Sequence, residues 1–119
     1  MIAGYDYLDA DSVNRDCPNG VVVSVSLGGD YNESVNKASA NLIDLGYFVA
    51  IAAGNNGDDT YNHSPGSEPS VCTVGAIDDN DDIYVDTNYG DLVDIMAPGV
   101  GVLSTVPGGT VSTHYLEVH

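Results

Sequence analysis

Two segments of the chain close an apolar run with glycine, Ser26-Leu27-Gly28-Gly29 and Ala52-Ala53-Gly54-Asn55-Asn56, and the second adds a carboxamide. Glycine at such a point lets another backbone approach closely, and Asn55 offers a hydrogen-bond donor beside it. On residue types alone the pair is a candidate cleft, and two tight turns would use the same glycines. The histidines are His63, His114 and His119. His63 falls in a polar loop and is expected to be solvated. The run Asp78-Asp79-Asn80-Asp81-Asp82 begins like a calcium-binding EF-hand loop. It fails at once, with Ile83 where the turn glycine belongs and Tyr89 where the bidentate glutamate belongs, so a solvated acidic loop is expected. Cys17 and Cys72 allow at most one internal bridge, and their spacing matches no metal finger.

The elements that must carry these residues follow from hydrophobic periodicity. Residues 1–20 read as polar and turn-rich. Val21 to Leu27 is a β-branched run expected as a buried strand. From about Tyr31 to Leu45, Val35, Ala38, Leu42 and Leu45 recur at helical spacing, and Gly46 supplies a stop. Tyr47–Ala53 is a second apolar strand. Strand, helix and strand make a βαβ unit, which implies parallel strands with both sheet faces covered. Ser70–Ile77, Leu92–Met96 and Val100–Val106 are further strand candidates, and polar loops are expected at 55–69 and 78–91. The fold class is α/β with a mainly parallel sheet. In such sheets ligands bind at the carboxyl ends of the strands, where both glycine-ended segments fall.

Charge narrows the partners. Eighteen acidic residues face only Arg15 and Lys37, for a formal net charge of −16 in 119 residues. Nucleic-acid backbones and anionic membrane surfaces would be repelled, while calcium and cationic ligands would be attracted. No apolar run is long enough to span a bilayer. The N-terminus, Met1-Ile2-Ala3-Gly4-Tyr5-Asp6, has no basic region before a long apolar stretch, so no signal peptide is read there.

Taken in order, these blocks resemble a known family. Ser26–Gly29 and Ala52–Asn56 are followed by Ser64-Pro65-Gly66-Ser67-Glu68-Pro69-Ser70-Val71-Cys72-Thr73-Val74-Gly75-Ala76. Then come Asn88-Tyr89-Gly90, Val93-Asp94-Ile95, Ala97-Pro98-Gly99 and Leu103-Ser104-Thr105. The succession is similar to the proteinase K-like subtilases, the subtilisin-type serine proteases of peptidase family S8. The similarity covers residues 1–109 as a partial catalytic domain and leaves 110–119 as a divergent tail. It implies an incomplete three-layer subtilisin-like fold.

The resemblance also implies roles. Ser26, Leu27 and Gly28 would pair with a peptide substrate as an added strand. Ala52, Ala53 and Gly54 would wall the pocket for the side chain preceding the scissile bond, and Asn55 would donate to the oxyanion. A structural calcium ion would be held by Pro69 and Val71 carbonyls and the Asp94 carboxylate. Cys17 and Cys72 would belong to two different disulfides whose partners lie outside this segment. A secreted location is implied, with Asn32-Glu33-Ser34 and Asn62-His63-Ser64 as glycosylation sequons. The family's catalytic aspartate and histidine motifs would lie upstream of the first matched block. Its nucleophilic serine would fall where Val118 stands, so the triad is expected to be absent and the chain inactive alone. That loss of register points to truncation. The alternative from another class is a non-catalytic, acidic α/β module that binds calcium or a peptide.

Overall fold

The computed structural model describes residues 1–103. The expected tail at 110–119, His114, His119 and the end of the Val100–Val106 segment lie outside them. Residues 100–103 carry no strand.

Four strands, β1 (Val22–Val25), β3 (Phe48–Ala52), β5 (Cys72–Ile77) and β6 (Ile95–Pro98), form one sheet in the order β1-β3-β5-β6. Every pairing in it is parallel, with Val23 opposite Val49, Ile51 opposite Thr73 and Val74 opposite Ile95. The expected α/β class and parallel sheet are therefore observed. Helix α2 (Glu33–Asp44) bridges β1 and β3 as the crossover. It starts at Asn32, whose side chain accepts from the Ser34 and Val35 N–H groups, satisfying donors the first turn leaves open. It ends at Gly46, whose φ of +89° suits glycine after a helix.

The core lies on one face of the sheet. Val23, Val25, Val49 and Ile51 alternate inward and meet Leu42 of α2, Tyr5 and Val71. The helical periodicity places Leu42 correctly but not Leu45, which is exposed. Asn36 and Ser39 take buried positions on the inner face instead. Both have polar partners there: Asn36 Nδ2 donates to Ser67 Oγ, and Ser39 Oγ donates to Tyr5 Oη and to the Val35 carbonyl.

The N-terminal segment corrects the sequence reading. Instead of turns, Ile2–Ser12 forms a helix, α1. Local signals are missing because it has no side-chain cap and no basic residue in its last turn. Tertiary packing supplies what propensity does not. Tyr5 is buried, Leu8 packs on the core, and Tyr47 Oη donates to Asp9 Oδ1 while also hydrogen bonding with Ser12 Oγ.

Two short strands were not foreseen, one where the chain leaves β1 and one inside the loop expected at 55–69. β2 (Gly29–Asp30) and β4 (His63–Ser64) pair antiparallel, with Gly29 opposite Ser64 and Asp30 opposite His63. Among the described residues both helices cover the same sheet face, and Val22, Phe48 and Ile95 remain exposed.

Candidate functional site

The carboxyl ends of β1 and β3 open side by side, because these strands are neighbours in a parallel sheet. The chain leaving β1 and the chain leaving β3 form the two sides of a cleft of about 300 Å³. Ser26, Leu27 and Gly28 line one side, and Ala52, Ala53, Gly54 and Asn55 the other. The structure thus brings together all seven residues singled out for a peptide site. Ser26, Leu27 and Gly28 are exposed, whereas Ala53 is buried.

Close packing explains the glycines. A Cβ on Gly28 would meet the Ser64 carbonyl oxygen at 2.9 Å, and one on Gly54 would meet Asn88 Nδ2 at 2.5 Å. Gly54 also has φ of +104°, a conformation that side chains other than glycine's rarely adopt.

Asn88 is the residue to which the sequence assigned no role. Its side chain is fully buried; Nδ2 donates to the Ala53 carbonyl at 2.9 Å, and Oδ1 accepts from Asn56 N–H at 2.9 Å and Asp58 N–H at 3.2 Å. Its own N–H donates to the Gly54 carbonyl at 2.8 Å. One carboxamide therefore fixes the backbone on both sides of Asn55. A signal existed in the Asn88-Tyr89-Gly90 block, but nothing in spacing alone joins residue 88 to residue 53.

His63 is not the solvated side chain expected. It lines the same cleft, its side chain is only 15 % exposed, and Nε2 lies 3.2 Å from Asp58 Oδ2. Asp58 is held below the usual carboxylate range, first by the Asp59 N–H and then by the Asn62 amide and His63. The neighbouring Ser64 hydroxyl is engaged elsewhere, accepting from Asn32 N–H at 2.8 Å and donating to the Asn32 carbonyl at 3.3 Å.

The candidate calcium ligands lie away from this cleft. Asp94 is exposed, and its Oδ2 accepts from Thr73 N–H at 2.7 Å while its own N–H donates to the Thr73 carbonyl at 2.9 Å. These bonds hold the carboxylate beside the segment containing Val71, which is buried, and Pro69, which is exposed. An oxygen-only donor set of two carbonyls and an anchored carboxylate fits a hard cation. In the acidic loop, Asp78 Oδ1 accepts from the N–H groups of Asn80 and Asp82, so it organises its own turn. Among the described residues no group of three or more His, Cys, Asp or Glu side chains is arranged to hold a metal. Cys17 is exposed and Cys72 half-buried, and both are free thiols.

The model of the Subtilase family matches residues 3–117, nearly the whole chain. The chain belongs to the subtilase family. Among its relatives, "Proteinase R" of Parengyodontium album is 54% identical over 110 residues, which are 92% of this chain and 28% of that protein. The "Cuticle-degrading protease" of Metarhizium anisopliae is also 54% identical, over 88% of this chain and 27% of its own length. A cold adapted subtilisin-like serine proteinase of known crystal structure superposes with a TM-score of 0.78 at 34% identity, covering 87% of this chain and 36% of that one. This subtilase chain thus spans between a quarter and two fifths of the lengths of these relatives.

Proposed function

We propose that the chain is the substrate-binding part of a subtilisin-type serine endopeptidase, supplying the peptide-pairing edge, the pocket wall and the oxyanion donor but none of the triad. The observation that carries this is the convergence of Ser26–Gly28 and Ala52–Asn55 on one cleft at the carboxyl ends of adjacent parallel strands. An extended peptide would lie along residues 26–28, main chain to main chain. Its side chain preceding the scissile bond would enter between Gly28 and Ala52–Gly54. The Asn55 carboxamide would donate to the oxygen on which charge develops only during acyl transfer. In subtilisin, a member of this family, losing such a donor costs about 10²–10³ in turnover.

The nucleophile, base and orienting aspartate must come from groups other than those in the cleft. His63 is committed to Asp58 and the Ser64 hydroxyl to Asn32, so these neighbours do not form a serine–histidine pair. Pro69, Val71 and Asp94 would hold a calcium ion that ties the start of β5 to the start of β6. Secretion is the location that fits a protease of this type, with peptides or proteins as substrates.

The test is the purified 119-residue chain mixed with a chromogenic peptide and, separately, with a serine-directed phosphonyl reagent. No turnover and no covalent label are expected, together with peptide-induced amide shifts at residues 26–28 and 52–55. Turnover blocked by the reagent would overturn the assignment of the triad to other segments. Peptide binding to a stable, calcium-raised fold, with no cleavage when the missing segments are supplied, would instead establish the binding-module alternative.

A further inference from the structure

The cleft's charges are all of one sign. Asp30 lines it, and so does His63, which is backed by Asp58 at 3.2 Å. Asp30 and His63 are direct partners across the β2–β4 ladder. Residues opposed in this way project from the same face, with Cβ atoms about 5 Å apart. The imidazole contacts the Asp58 carboxylate on its own loop, and Asp30 projects from the same face of the facing strand. Neither basic residue offsets them, because Arg15 is paired with Asp11 on α1 and Lys37 with Glu33 on α2. The carboxylates of Asp30 and Asp58 thus stand at the cleft with no lysine or arginine side chain opposite them.

We propose that this cleft selects peptides whose residue entering it is basic, lysine or arginine, with Asp30 and the Asp58–His63 pair as the groups that set the preference. The inference rests on the peptide-binding reading above and names its substrate class. A cationic side chain passing the small residues Gly28, Ala52 and Gly54 would reach an acidic environment. An anionic one would meet repulsion, and an apolar one would leave the carboxylates without a cationic partner.

Three fluorescein-labelled peptides separate the possibilities when titrated into the 119-residue chain by fluorescence anisotropy at low salt: Ala-Ala-Pro-Lys, Ala-Ala-Pro-norleucine and Lys-Ala-Pro-norleucine. The third has the charge of the first in a different place, so attraction to the whole acidic molecule cancels between them. The expected result is about tenfold tighter binding of the first than of either other, roughly 1.4 kcal/mol. That ratio should fall severalfold in 0.5 M salt and in the D30N/D58N double variant, whose side chains keep their shape and one acceptor oxygen each while losing the charge. Equal binding of the first and third peptides, or of the first and second, would overturn the inference while leaving peptide binding intact. An unchanged ratio in the double variant would overturn the assignment to these carboxylates. Binding of none of the three would remove the peptide-binding reading and this inference with it.

Discussion

The carboxamide of Asn88 donates to Ala53 and accepts from Asn56 and Asp58, so its three bonds straddle Asn55. Asn88→Ala would leave those backbone groups to find other partners in a buried site, at a cost of about 3 kcal/mol. The check is the denaturation midpoint, with N88D keeping the acceptor but not the donor and falling between. Gly54→Ala should do comparable harm for a different reason, combining a positive φ with a 2.5 Å clash against the same side chain. Asp78 gives a prediction in pH. Its carboxylate lies below the ordinary aspartate range, first because the Asn80 N–H binds it and then because of the Asp82 N–H. A folded value below the unfolded one contributes stability that is present above the unfolded value and lost as pH falls through the folded one. Acidification below the ordinary aspartate range should therefore loosen the 78–82 turn, and a carboxyl-carbon NMR titration should find Asp78 titrating below the ordinary aspartate range.

At the scale of elements, among the described residues one sheet face is packed and the other is not. Val49 and Ile51 are essentially inaccessible, whereas their strand neighbour Phe48 is 55 % exposed and Val22 on β1 is 71 % exposed. Leu42→Ala, beneath α2, should cost about 2–5 kcal/mol in chemical denaturation, since it removes side-chain atoms from a filled core. Phe48→Ser with Val22→Thr should change stability little. The pair should, however, lower binding of an apolar-surface dye and reduce self-association in sedimentation, because β1 is also an edge strand. If dye binding is unchanged, the open face is not the source of stickiness.

For the molecule as a whole, a formal charge of −16 makes self-repulsion a global term. Raising salt from 0.05 to 1 M should therefore raise the thermal midpoint. Calcium should do so at far lower concentration, by up to about 2.7 kcal/mol at a hundredfold excess over its dissociation constant. D94N should abolish the calcium increment while leaving the salt increment in place. Equal responses to calcium and magnesium at equal ionic strength would show general screening rather than a site.

The amino-acid sequence by itself determined the βαβ unit, the parallel sheet and the glycine-ended segments of the cleft, because all three rest on local periodicity and on residues that sheet packing constrains strongly. The ordered blocks from Ser26 to Thr105 also made the family legible. Only the tertiary structure decided the rest. Helix α1 forms although it lacks a side-chain cap, since Tyr5 and Leu8 pack on the core, Tyr5 meets Ser39 of α2, and Asp9 meets Tyr47. His63 enters the cleft wall because a two-residue ladder carries β4 against β2. Asn88 holds the Asn55 loop from more than thirty residues away in sequence. Each of these depends on which distant backbone happens to be near, and pattern along a chain carries no record of that.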